Sequence, residues 1–199
     1  MLTFDPVQHR YFLDGAEVPS VTTVLRPLYN FDNIPRDVLE RKRQIGDALD
    51  IAIQLELADD LVEESVSPEV MPYLEAFRRF RVEQQFVAAA IQKPVYSKTF
   101  RFAGTPDAWG SIKGHDALVD WKAVHTMSPA IALQTAGYLG AGHEMGVLKA
   151  STLRYGVQFK EDGTYAMVPY KDKQDWGIFL SFLSCHNWRA KNGLLKEKS

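Results

Sequence analysis

Two carboxylates and an ammonium, Asp107, Asp120 and Lys122, lie close together in the stretch Gly104–Lys122, which reads GTPDAWGSIKGHDALVDWK. Its Lys113-Gly114 pair is turn-prone and separates two runs able to pair as antiparallel strands. A hairpin centred there sets Asp107 directly opposite Asp120, with Cβ atoms about 5 Å apart on one face, and puts Lys122, two residues on, on the same face. Like charges directly opposed on a sheet are destabilising unless a cation lies between them, and a hard divalent ion held by carboxylate oxygens meets that need. The chemistry to expect is a metal site with an adjacent lysine.

The elements that must position this hairpin can be read along the chain. Phe4 to Val18 predicts a hairpin turning at Asp14-Gly15 and packing as an appendage. Ser20 is a candidate cap for a short helix that Pro27 ends or kinks. Pro35 opens a helix from Arg36 to about Leu57, with a stripe of Leu39, Ile45, Leu49, Ile53 and Leu57 facing the core. The neighbouring polar row Asp47, Asp50 and Gln54 reads as a solvent face. A third helix, Pro68 to about Gln85, should carry Tyr73, Phe77 and Phe80 inward and its arginines outward.

After an alanine-rich segment, Pro94 to Phe102 alternates with the period of a strand. Ser128-Pro129 begins a helix through about Glu144. Val147 to Tyr170 reads as a hairpin with Glu161-Asp162-Gly163 at its tip. The last helix, Asp172 to about Lys191, carries Trp176, Phe179, Phe182, Leu183 and Trp188, followed by a frayed charged tail. Strands flanked by helices give an α/β domain with a mixed central sheet. One domain over residues 1–199 is expected, with an N-terminal hairpin and helices at 1–90, a sheet core at 91–170 and a C-terminal helix and tail at 171–199.

At 46% hydrophobic and 24% charged, the 199-residue chain has ordinary globular composition, and no apolar run reaches the roughly 20 residues of a membrane span. A single cysteine, Cys185, excludes an internal disulfide and any all-cysteine zinc or iron–sulfur site. With no signal-peptide pattern at the N-terminus, a reducing cytoplasm is the expected setting. The net charge of −2 means that any nucleic-acid binding must be local. Candidate patches are Arg36, Arg41, Lys42 and Arg43; Arg78, Arg79 and Arg81; and Lys93, Lys98 and Arg101. Each of these patches, like each of the five histidines, reads first as ordinary surface. His125, three residues past Lys122, is the histidine best placed to reach the site, and Trp109 shares the carboxylate face while Trp121 points to the opposite one.

Pro106-Asp107 followed by Asp120-Trp121-Lys122 resembles the defining pattern of the PD-(D/E)XK nuclease superfamily. Gly104 ahead of Asp107, and Gln134-Thr135-Ala136-Gly137-Tyr138, similar to a glutamine-x-x-x-tyrosine motif, narrow the resemblance to the RecB-like branch. Pro19-Ser20-Val21-Thr22-Thr23 looks like the start of phage-encoded members. The resemblance spans roughly Pro19 to Tyr138 and implies a restriction-endonuclease-like core. It also implies that Asp107, Asp120 and the backbone carbonyl of Trp121 bind Mg²⁺ or Mn²⁺, that Lys122 orients the attacking water or neutralises transition-state charge, and that Gln134 and Tyr138 position the substrate or brace the site.

Two positions depart from the family pattern. A histidine ligand often found on the helix before the sheet is replaced by Asp50, which could still bind through oxygen and would favour Mg²⁺. A glutamate expected on or before the first strand corresponds to Gln92, a neutral and weaker ligand. The iron–sulfur subgroup's four cysteines are absent. The function implied is a metal-dependent DNA exonuclease acting at duplex ends in phage or prophage recombination, with an annealing protein as a potential partner. The alternative is a catalytically weakened DNA-end-binding or nuclease-inhibiting protein of the same fold. The aromatic C-terminal helix could serve a homo-oligomer or simply the core.

Overall fold

The computed structural model describes residues 1–6, 8–30 and 34–195. In chain order its elements are β1 (Leu2–Asp5), β2 (Arg10–Leu13), β3 (Ala16–Val18), α1 (Val21–Leu25), α2 (Arg36–Leu57), α3 (Met71–Glu83), β4 (Val87–Ile91), β5 (Val95–Ser97), β6 (Phe102–Gly104), β7 (Ala108–Ile112), β8 (His115–Ala123), α4 (Ala130–Glu144), β9 (Leu153–Phe159), β10 (Tyr165–Tyr170) and α5 (Gln174–Lys191). A five-stranded mixed sheet in the order β10-β9-β8-β7-β4 forms the centre. Only β8 and β9 pair in parallel, and α4 makes the crossover between them. The expected charged tail extends into residues 196–199, outside the described residues.

One face of the sheet is packed by α2 and α3. Ala117, Val119 and Trp121 of β8 alternate onto it and join Leu49, Ile53, Tyr73, Phe77 and Phe80. Phe77 meets the edges of Trp121 and Phe159 at centroid separations of 5.8 and 6.0 Å. Burial of each such aromatic is worth about 1.5–3 kcal/mol, so the predicted inward stripe on α3 fixes that helix to the sheet. Leu118, on the other face, packs with Val21, Val24, Leu25, Tyr138, Phe179 and Leu183 of α1, α4 and α5. Ser20 caps α1 as expected, its hydroxyl accepting from the Thr23 N–H at 3.0 Å.

Three expectations need correction. The N-terminal hairpin gains a third strand, β1, and is no appendage: Tyr11, Leu13 and Val18 bury against Ala103, and the Tyr11 hydroxyl pairs with Thr105 Oγ1 at 2.8 Å. The alanine-rich segment is itself an edge strand, β4, paired to β7 through a bulge. The alternating run after it is not one strand, because it folds back on itself as the small β5–β6 ladder. Its turn closes on the Glu144 carboxylate, which accepts from the Ser97 and Thr99 hydroxyls and from the Lys98 and Thr99 N–H groups.

Burial alone would raise the Glu144 carboxyl, but these hydrogen bonds outweigh it and hold the group below its usual range. A carboxyl depressed on folding contributes stability above its unfolded pKa and loses that contribution as pH falls through the folded value. Glu144→Gln should therefore lower stability near pH 7 by about 1 kcal/mol, roughly 2–4 °C in Tm, and the difference should vanish near pH 3 in paired thermal melts. A second packing constraint lies at Gly104, where an added Cβ would stand 2.5 Å from Tyr138 Cε1 and 3.1 Å from Val21 Cγ2. Gly104→Ala should cost about 1–3 kcal/mol by overpacking, measured as a lower urea midpoint.

Candidate active site

The β7–β8 hairpin has the predicted register. Lys113 and Gly114 both adopt positive φ, 48° and 79°, as a type I′ turn requires, and the ladder runs from Ile112↔His115 to Ala108↔Val119. One step beyond its last pair come Asp107 and Asp120, where β8 continues past the beginning of β7. The site thus sits at the C-terminal end of β8, beside its parallel neighbour β9, the end of an α/β sheet where ligands are commonly bound.

Both carboxylates are nearly sealed from solvent, at 8% exposure for Asp107 and 1% for Asp120. Lys122 Nζ lies 2.7 Å from Asp120 Oδ2 and 3.5 Å from Asp107 Oδ2. The site's own lysine thus supplies one cation between the opposed aspartates. Asp107 Oδ2 also accepts from the Trp121 N–H at 2.8 Å. A strand residue sends its N–H and C=O to the same edge, so the Trp121 carbonyl also leaves β8 on the Asp107 side.

From α4, Gln134 and Tyr138 reach the centre together, as their four-residue spacing allows. Gln134 Nε2 donates to Asp120 Oδ1 at 2.8 Å and to the Tyr138 hydroxyl oxygen at 3.1 Å. Asp50 lies on the other side. The polar row of α2 splits: Asp47 and Gln54 are exposed, whereas Asp50 turns inward and accepts from Trp121 Nε1 at 2.8 Å. Gln92 bridges them, Nε2 lying 3.4 Å from Asp50 Oδ2 and 3.3 Å from Asp107 Oδ1. Its φ of 47° is costly for a residue with a side chain, and its N–H is anchored on the Asp107 carbonyl at 2.9 Å.

The electrostatics follow from three carboxylates around one ammonium. Burial pushes the Asp120 carboxyl up, a shift that Lys122 opposes and Asp107 reinforces. Burial and then Asp107 also raise Asp50. Burial would lower the Lys122 ammonium, but Asp107 and Asp120 hold it well above its usual value. Asp120 Oδ2 has the Lys122 ammonium, at 2.7 Å, as its one close partner. The centre is short of positive charge.

Two residues escaped the sequence reading. The Tyr29 hydroxyl donates to Gln134 Oε1 at 3.5 Å, and burial and Asp120 raise its pKa. Tyr170, at the end of β10, is pushed up to about 12, first by burial and then by Asp120. Its hydroxyl would lie 2.8 Å from a Cβ at Gly156, the residue paired with Asp120 across β8–β9. A glycine within a strand often marks such a close approach, and Gly156 was the available signal. Tyr138 is likewise raised well above its usual value by burial and Asp120, so all three phenols stay protonated near the carboxylates.

Hard oxygens suit Mg²⁺ or Mn²⁺, and Mg²⁺ commonly takes one or two protein carboxylates together with substrate phosphate. Asp107 and Asp120, two buried carboxylates with one ammonium between them, fit such an ion. Among the described residues no cluster of three or more histidine, cysteine, aspartate or glutamate side chains is arranged to hold a metal. Trp109 packs against the core, and His125 is exposed. Several of the candidate basic residues are neutralised within the fold: Arg41 by Glu69, Lys42 by Glu161, Arg43 by Glu40 and Asp47, and Arg78 by Glu56, Glu63 and Glu75. No helix of the described residues is long and apolar enough to cross a membrane.

The sequence matches no family model and no curated protein. Solved structures do resemble it. A candidate exonuclease from Eubacterium rectale superposes with a TM-score of 0.53 at 11% identity, covering 76% of this chain and 69% of its own. The alkaline exonuclease LHK-Exo from Laribacter hongkongensis gives 0.42 at 11% identity, over 87% of this chain and 91% of its own, and its complex with dAMP gives 0.41 at 12%, over 90% and 95%. At such identities the likeness to the Eubacterium rectale protein is one of fold: a mixed central sheet flanked by helices.

Proposed function

We propose that the chain is a metal-dependent DNA exonuclease of the PD-(D/E)XK superfamily, RecB-like and phage-type, hydrolysing phosphodiester bonds at duplex ends. The observation that carries this reading is the meeting of Asp107, Asp120 and Lys122 at the open end of β8, braced by Gln134 and Tyr138 from α4. The shared fold with a candidate exonuclease supports the coarse class. In this reading Asp107, Asp120 and the Trp121 carbonyl, with Asp50 more remotely, hold Mg²⁺ or Mn²⁺. The ion supplies Lewis-acid polarisation of the scissile phosphate and acidifies a neighbouring water.

The chain's own groups do the remaining work. Gln134 fixes Asp120 through Oδ1, while Oδ2 faces the Lys122 ammonium that a metal would displace. Lys122, held protonated, would orient the attacking water or offset charge developing on the phosphoryl oxygens once a metal has taken its place between the aspartates. Tyr138 and Tyr29 hold the amide of Gln134 in place from either side. A bacterial or phage-infected cytoplasm, a recombination annealing protein as partner and a homo-oligomeric state complete the proposal.

Gln92 favours a second reading. A neutral amide stands between Asp50 and Asp107, where the family pattern expects an anion, and this suits a protein that binds DNA ends or inhibits a nuclease with little turnover. Binding of end-labelled duplex without cleavage in Mg²⁺, Mn²⁺ and Co²⁺ would select it.

For the exonuclease, linear duplex should be degraded in Mg²⁺ while closed circular DNA survives, and Asp120→Asn or Lys122→Ala should each reduce the rate at least ~100-fold with circular dichroism unchanged. Activity surviving both substitutions sinks the mechanism. Metal binding has its own readout. Adding Mg²⁺ at ~100 times its Kd to chelator-treated protein should stabilise it by about 2.7 kcal/mol, roughly 5–10 °C in Tm, and Asp120→Asn should abolish the rise.

A further inference from the structure

Between the N-terminal sheet, the α1 segment and the last turns of α5 runs a cleft of about 760 Å³ that has no part in the chemistry described above. We infer that it is a groove for a short run of single-stranded DNA, entered beside Tyr29 at the Asp120 centre and followed outward by the Arg26 and Arg189 guanidiniums. The inference rests on the nuclease reading only in choosing DNA among polyanions.

Charge is the first argument. The chain as a whole is at −2, and Arg41, Lys42, Arg43 and Arg78 of α2 and α3 are spent on neighbouring carboxylates. The cleft differs. Its Arg10 is matched by Glu17, which it grips through Nε and Nη2, so that pair is locally neutral. Arg26 is exposed and makes no side-chain hydrogen bond or ion pair among the described residues. Arg189 spends one nitrogen on the Leu194 carbonyl at 3.3 Å and keeps its charge unpaired by any carboxylate among the described residues. Two guanidiniums lining one cleft, with no acidic partner among the described residues, are a local anion-attracting feature in an acidic protein.

Connection is the second argument. Tyr29 lines the cleft and donates to the Gln134 amide that holds Asp120, so one residue joins the groove to the carboxylate centre. The lining also supplies flat surfaces, the Tyr29 and His186 rings and Pro27, against which bases can stack, together with the Asn187 amide as a polar contact. His186 is kept neutral by burial and by the nearby Arg189, so it offers a face rather than a charge. The volume is that of a small-ligand site, which admits a few nucleotides of one strand and excludes a duplex.

The test uses full-length protein in chelator, where no cleavage occurs, and a fluorescein-labelled ten-nucleotide oligothymidylate followed by anisotropy across a salt series. Wild type should bind with Kd below about 100 µM at low salt. Arg26→Ala/Arg189→Ala should bind at least tenfold more weakly, with the slope of log K against log salt shallower by about 1.4, two phosphate contacts' worth for a single strand. Arg26→Glu alone should weaken binding at unchanged Tm, and Arg43→Ala, on the paired face of α2, should match wild type. No binding by wild type, an unchanged slope in the double variant, or equal loss in Arg43→Ala overturns the groove, and tighter binding of the matching RNA overturns the choice of DNA. Groove-dependent binding by a protein that degrades no DNA would keep this inference and remove the exonuclease; degradation with unaltered binding in the double variant would do the reverse.

Discussion

The Lys122 ammonium, set between Asp107 and Asp120 in a nearly sealed pocket, is the contact to which the surrounding structure answers. Two buried carboxylates would repel each other and forgo hydration, a cost of several kcal/mol per ion in a protein interior. One ammonium offsets part of it. Asp50 adds a third acid within electrostatic reach, and the raised pKa values of Asp120 and Asp50 record what is left uncompensated. A fold keeps such a centre only if the rest of its packing is secure, and here the aromatic core of α3 and the sheet lies directly behind it.

Trp121 carries the strain across the sheet. Its ring is buried on the α2–α3 face against Phe77 and Phe159, its indole N–H holds Asp50, and its backbone N–H holds Asp107 on the opposite side. A single residue thus couples core packing to the positions of two acids. α4 supplies the matching support: Gln134 and Tyr138 reach Asp120 only because Gly104 leaves room for the Tyr138 ring. Such buried, mutually supported polar groups hold their geometry because each alternative rotamer would strand a donor or a charge.

What could be read in advance follows from how local each signal is. The Lys113-Gly114 turn was legible because a type I′ turn constrains two adjacent residues, and once placed it set the whole β7–β8 register. α2 was legible from its apolar stripe and α4 from the Ser128-Pro129 start signal. β4 was not, since Val-Ala-Ala-Ala-Ile has little strand propensity and is held as a strand by pairing with β7. The run from Pro94 to Phe102 misled because alternation persists through a turn that Glu144, more than forty residues away in sequence, closes from outside. Asp50 read as solvent-facing for a similar reason. Helical spacing gives an angle around the helix, whereas its burial depends on Trp121 reaching over from the sheet. Tyr29 and Tyr170 come from segments with no motif, and only the fold brings them beside Asp120.

The same charge balance separates binding from turnover. A site with three acids and one ammonium favours a further cation whether or not it catalyses, because Lys122 alone leaves Asp120 and Asp50 raised above their usual range. Turnover asks for more, namely that Lys122 leave the carboxylates and face a phosphate once another cation has taken its place. Gln92 bears on that second step. As a neutral amide donating toward both Asp50 and Asp107, it steadies the acids without adding charge, which lessens the pull on any incoming ion while loosening the grip on Lys122. An anion in its place would strengthen the metal and hold the lysine more tightly, so the amide trades affinity for release, and the balance between those two quantities sets which of the two functional readings the protein follows.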